Sequence, residues 1–249
     1  FLYAYADEES QLSEKSRDLK GIIPVDMIYK LSAGNEDLKQ AALVRYQAYK
    51  SLYDSGVYYS DEAKNMKIIA YLAQSDPDGL SPVVPGLTNR QAALFVLTST
   101  FATYQEPLKP PTPFYHYLAG TFDENLLPAG LQFAAEDNII NNAFTAPDFQ
   151  SIGEMIDGEA IISDSVENPY DDHLGDIVIP VYYVGAAGGF GEYGADTLDF
   201  LGSTDKESLI VKLYPPEAAA LDYGHADLFW ANNAKELVWE PICSWIKSH

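Results

Sequence analysis

Residues 176–185 read DIVIPVYYVG. Ile177 to Val184 is an unbroken apolar run rich in β-branched side chains, with one proline near its start. A run without polar alternation suits a strand buried on both faces, and proline is tolerated near the beginning of a strand. Strands of this kind need helices on either side to cover them. This stretch therefore directs the chain toward an α/β architecture. Two weaker signals agree with it. GIIPVD, Gly21 to Asp26, reads as a short buried strand that ends in a carboxylate, and ESLIVKLY, Glu207 to Tyr214, reads as another, stopped by Pro215-Pro216.

Before the first strand, FLYAYADEES has the look of a helix already under way at Phe1, and SEKSRDLK is a polar connection. From Met27 to about Asp176 the pattern is mostly helical. Asn35 is placed to cap a helix whose first turn carries Glu36 and Asp37, the favoured sign at that end, and Gly56 stops it. Ser60 is placed to cap a second helix, which ends before Asp76-Pro77. Thr88 with Gln91 forms a capping box that opens an apolar helix from Ala92 to Tyr104. Pro107, Pro110, Pro111 and Pro113 then enforce an extended linker. PAGLQFAAEDNIINNAF is expected to be helical, and FTAPDFQSIGEMIDGEAIISDS carries no decisive pattern.

The last stretch, LDYGHADLFWANNAKELVWEPICSWIKSH, starts with a turn holding His225. Asn232 or Asn233 is placed to cap a final helix, in which Leu237, Val238, Ile242, Trp245 and Ile246 recur at helical spacing. A loop histidine before a packed helix is well placed for catalysis. An ordinary polar residue is the commoner role.

Gly-His-Ala-Asp-Leu-Phe-Trp at 224–230, followed by Ala234, Val238 and Trp245, resembles the C-terminal end of α/β-hydrolases. It is most similar to the lipase and esterase branch that includes the acid lipases. The resemblance implies an α/β-hydrolase-like parallel sheet, of which residues 1–26 and 177–249 are the C-terminal part. It makes 27–176 a helical cap over the site. His225 becomes the general base of a Ser-His-acid triad, with Asp227, Phe229 and Trp230 supporting it. Tyr58, Tyr59, Phe114, Tyr115 and Tyr117 are expected to line an apolar acyl pocket, with His116 a surface or packing residue near them. The implied substrate is a carboxylic ester with an apolar, lipid-like acyl group, and no cofactor or metal is implied.

The triad serine normally sits in a G-x-S-x-G elbow, which does not occur in these residues. The expectation is that it comes from an N-terminal part of the same protein. In many family members the triad acid stands where this chain has Gly189. Asp26 is the favoured substitute, because it ends a strand, and Glu192 and Asp196 are alternatives. The other reading is a non-catalytic, hydrolase-like binding protein.

Composition narrows the partners. The net charge of −22 disfavours nucleic acid, whose phosphates would repel the chain. No apolar run reaches the ~20 residues of a membrane span. The single cysteine, Cys243, makes no internal disulfide and leaves the compartment open. A glycine-rich loop, AAGGFGEYGAD, follows the central run, but its upstream connection is not that of a nucleotide site, so phosphate binding is not expected.

Overall fold

The computed structural model describes all residues except 105–106, 110–111 and 144–149. The protein is mixed α/β, about half helical, and the described residues form three two-stranded sheets, one of them parallel.

In chain order, helix α1 (Leu2–Ser10) and a 3-10 turn (Glu14–Ser16) precede the segment 22–25. Helix α2 (Glu36–Asp54), strand β1 (Tyr59–Ser60) and helices α3 (Glu62–Ser75), α4 (Asn89–Thr98) and α5 (Thr100–Thr103) follow. Next are strands β2 (Gly120–Phe122) and β3 (Pro128–Leu131), helix α6 (Glu136–Ala143), strand β4 (Gln150–Ser151) and helix α7 (Ile152–Ser163). The chain closes with β5 (Val181–Ala186), α8 (Gly191–Ala195), β6 (Lys206–Val211), α9 (Asp227–Trp230), a π-helical turn (Lys235–Trp239) and α10 (Glu240–Ser248).

The central run does form the innermost strand. All six residues of β5 are buried. The strand begins at Val181 rather than Ile177, directly after Pro180, whose carbonyl accepts from Ile22 N at 3.0 Å. On one side β5 pairs in parallel with β6, from Val181 opposite Lys206 to Ala186 opposite Val211. On the other it bonds to the segment 22–25: Tyr182 N donates to Ile22 O, Val184 N to Pro24 O, and Asp26 N to Val184 O, all within 3.0 Å. Successive β5 side chains point to opposite faces. Val181 and Tyr183 pack with Tyr3, Ile22, Leu174 and Leu198. Tyr182, Val184 and Ala186 pack with Leu228, Val238, Ile242 and Trp245. Burial on both faces is why this strand is apolar throughout.

The middle of the chain differs from expectation in several places. The capping box at Thr88 and Gln91 is present, with Gln91 N donating to Thr88 Oγ1 and Thr88 N to Gln91 Oε1. The helix it opens breaks at Ser99, so α4 and α5 replace one helix to Tyr104. Residues 128–131 are a strand paired with β2, not helix. There the Asp123 carboxylate accepts from Asn125 N and Leu127 N, which closes the turn. Neither Asn35 nor the Asn232–Asn233 pair caps a helix with its side chain. Asn35 Nδ2 donates to Asp196, and Asn233 Oδ1 accepts from the Tyr223 hydroxyl. Ile246 and Cys243 are exposed on α10. Of the proline linker, 110 and 111 lie outside the described residues, as do 144–149 of the stretch that carried no decisive pattern.

Helix α2 packs along α7, and the two are joined by a largely buried ion pair. Arg45 Nε and Nη2 donate to the two Glu159 carboxylate oxygens at 2.8 and 2.9 Å. Burial raises the Glu159 pKa, and Arg45 opposes that shift. No helix among the described residues is long and apolar enough to cross a membrane.

Candidate active site

Three parallel segments, 22–25, β5 and β6, end on the same side of the molecule. Groups at the carboxyl ends of such strands converge on one crevice. Asp26 follows the first segment, the glycine loop follows β5, and the turn 222–226 joins them. Ala187 N donates to Val211 O at 3.0 Å and Gly188 N to Tyr223 O at 2.8 Å.

His225 is held there by its backbone. Its N–H donates to His116 O at 3.0 Å, and the next amide, Ala226 N, donates to Tyr117 O at 2.7 Å. Asp227 secures the same turn: one carboxylate oxygen accepts from Gly224 N at 2.8 Å and Ala119 N at 2.7 Å. Its other oxygen is buried with no hydrogen-bond partner among the described residues. Burial pushes the Asp227 carboxyl up to about 6, against the pull of the two amides. Asp222 closes the other end of the turn by accepting from Leu213 N, Tyr214 N and Tyr223 N.

The His225 ring meets Asp26, 199 positions away, with Nδ1 2.8 Å from Oδ2. A carboxylate oxygen only accepts, so Nδ1 is the donor, and in the neutral ring Nε2 presents its lone pair. Asp26 is 1% exposed and also accepts from Ala186 N at 2.8 Å, Phe190 N at 3.1 Å and Gly191 N at 3.0 Å. Its φ of +46° lies in the left-handed region, which Asp enters more readily than most residues. The backbone leaves β-pairing there and turns the carboxylate under the histidine.

Glu192 and Asp196 do not reach the ring. Glu192 is exposed, 4.0 Å from Lys212 Nζ. Asp196 accepts from Ser32 N, Ser32 Oγ and Asn35 Nδ2, which ties the loop before α2 to the start of the 3-10 turn Asp196–Phe200.

Gly189, Gly191 and Gly194 carry the spacing G-x-G-x-x-G. The amides of Phe190 and Gly191 in that loop point at an anion, and the anion is the Asp26 carboxylate of the same chain. The loop binds an internal carboxylate in the manner in which such loops bind phosphate.

Aromatic rings surround His225. Tyr115 lies 5.7 Å from the imidazole centroid and stacks on Phe190 at 4.9 Å. Phe190 is itself 5.7 Å from the imidazole, and Tyr117 is 6.4 Å away. Tyr117 and Tyr59 line a cavity of about 790 Å³ between α2, α3, α4 and α7. The other expected pocket residues lie elsewhere. Tyr58 is exposed and packs edge-on against Tyr53, while Phe114 packs on Phe101 beside smaller hollows. Phe229 and Trp230 are about half exposed, with Phe229 near Trp239, so they do not pack beneath His225.

Two contributors were not evident in the residues. Phe190 gave no signal beyond being an aromatic in a glycine loop. His116 is fully buried, the packing residue of the two roles expected for it, but its link to His225 was not foreseen. Its Nε2 lies 2.8 Å from Asp222 O and its Nδ1 2.7 Å from Phe114 O, while its backbone holds His225.

Among the described residues, no hydroxyl or thiol is hydrogen-bonded to the His225 ring. One group of potential metal ligands, Asp205, Glu207 and His249, lies near the amino end of β6, opposite the end that carries His225. All three are exposed. No protein-family model matches this chain, and no curated protein matches it either.

Proposed function

We propose that this chain carries the base and acid of a serine-type carboxylic ester hydrolase. In this reading 1–26 and 177–249 are the C-terminal part of an α/β-hydrolase-like core, and 27–176 is a helical cap. The observation that carries the proposal is the His225–Asp26 contact at 2.8 Å, placed at the carboxyl ends of parallel segments and bordered by aromatic rings.

The chemistry follows from the ring's orientation. A serine from a preceding part of the protein stands near Nε2 and gives up its proton as its Oγ attacks the ester carbonyl. Asp26 holds the tautomer and stabilises the imidazolium that forms. The proton passes to the leaving alcohol, and an acyl-enzyme remains. Water, deprotonated by the same histidine, then releases the acid. The apolar cavity beside Tyr117 supports an apolar chain on the substrate. A non-catalytic binder fits the vacant position 189 and the lack of a nucleophile elbow in these residues; Asp26 supplies a carboxylate at the first, and the serine probe below decides the second.

The test uses the full-length protein and p-nitrophenyl esters of increasing chain length. His225→Ala is expected to remove most of the turnover, because triad members act as a unit. A fluorophosphonate probe is expected to label one serine. Unchanged activity in the variant, or no labelling of an active protein, would reject the mechanism.

A further inference from the structure

The cavity between α2, α3, α4 and α7 is mostly apolar, with Leu52, Met66, Ile69, Phe95 and Met155 among its walls. One wall is different. Glu62, at the start of α3, receives the hydroxyls of both Tyr104 and Tyr117 on Oε1, the latter at 3.4 Å. Burial raises the Glu62 pKa, the Tyr117 hydroxyl lowers it, and no lysine or arginine figures among the causes. Its charge reaches Tyr49 as well: burial pushes that phenol up to about 12, Glu159 and then Glu62 add to the shift, and Arg45 opposes it.

A carboxylate that meets two tyrosine hydroxyls beside a largely apolar space has no counter-charge among the described residues, and an unpaired charge held away from water is costly. An organic cation answers both features. It pairs with the carboxylate and meets the tyrosine rings that line the same cavity. An anion is repelled there, and a neutral chain leaves Glu62 uncompensated. The net charge of −22 draws cations toward the molecule at long range. Tyr117 links this wall to the candidate base, with its hydroxyl on Glu62 and its ring 6.4 Å from that of His225.

We propose that the cavity binds an amine-bearing apolar chain, with Glu62 as its counter-ion and Tyr49, Tyr104 and Tyr117 around it. As a statement about substrate this rests on the ester-hydrolase reading: the preferred ester carries an ammonium group on its apolar chain.

Calorimetric titration of the full-length protein with hexylammonium, 1-hexanol and hexanoate tests the site without any turnover. Hexylammonium is expected to bind at one site per chain, at least about tenfold more tightly than 1-hexanol, with hexanoate weakest. Glu62→Gln is expected to bring hexylammonium and 1-hexanol to within about threefold of each other. Equal binding by the wild type overturns the proposal, as does a preference that survives in Glu62→Gln. Several weak hexylammonium sites in the wild type overturn it too, because they mark diffuse attraction to an acidic surface, and this readout needs no variant. Hydrolysis of p-nitrophenyl 6-aminohexanoate and hexanoate then separates the two readings. Charge-selective binding without hydrolysis rejects the esterase and keeps the cation site. Hydrolysis without charge preference rejects the cation site and keeps the esterase.

Discussion

A Cβ built on Gly189 would stand 1.9 Å from Oδ2 of Asp26, the oxygen that His225 contacts. The two positions compete for one volume. A carboxylate enters it from the end of the segment 22–25, so the loop after β5 must leave it empty. Gly189→Ala is expected to push the Asp26 carboxylate off the imidazole and, on the proposed ester-hydrolase reading, to cut turnover by about 10² or more. The double change Asp26→Gly with Gly189→Asp returns a carboxylate to the same volume and should recover part of the loss. Full activity in Gly189→Ala would contradict the crowding argument.

Asp26→Asn keeps the shape of the side chain and removes its charge. The amide no longer fixes the imidazole with Nε2 as the base, and the imidazolium loses its partner. Turnover should fall by about 10³–10⁴, with KM little changed. Steady-state kinetics on a p-nitrophenyl ester checks this, and a variant as fast as the wild type would reject the role of Asp26.

Asp227 makes stability depend on pH in a defined window. Burial raises its folded pKa to about 6, from the usual carboxyl value of 3.8. The unfolded chain therefore releases this proton first as pH rises. Stability from this group is greatest below about pH 4, declines from there to about pH 6, and stays lower above. The full span is roughly 3 kcal/mol as an upper figure. Asp227→Asn has no such proton, so denaturant unfolding of wild type and variant should diverge across that window. Curves that run parallel from pH 4 to 7 would show that Asp227 is not the source.

The pair Arg45–Glu159 predicts an asymmetry. Arg45→Met leaves Glu159 buried between α2 and α7 without its partner, which is expected to cost about 3–5 kcal/mol. Replacing both, Arg45→Met with Glu159→Leu, should recover most of that stability, because two apolar chains need no compensation. Chemical denaturation of the single and double variants measures it. A double variant as unstable as the single would mean that the pair has a net stabilising role of its own.

The features legible in the residues are those whose cause is local or uniform along an element. Burial on both faces forces every position of β5 to be apolar, so the run announces itself, while Pro180 moves the start of pairing to Val181. The capping box at Thr88 and Gln91 is legible because donor and acceptor lie within one turn. The strand 128–131 is not, because its pairing depends on a turn made by Asp123 and on a partner strand. The Asn side chains at 35 and 233 failed as caps for a similar reason: each found a tertiary partner instead.

The candidate site divides in the same way. His225 stands out in sequence because its turn and the helix after it form one continuous pattern. Which carboxylate serves it is decided in three dimensions. Asp26, Glu192 and Asp196 are equally acidic in a string of letters, but only Asp26 leaves a strand end in the left-handed conformation and enters the space that Gly189 leaves open. The parallel pairing of 22–25 with β5 brings together groups 199 positions apart. That same packing buries His116 behind the turn and sets Phe190 and Tyr115 against the imidazole. Sequence determined which elements could form, through burial and local hydrogen bonding. Tertiary structure decided which charges and rings met, because that depends on distances no local pattern encodes.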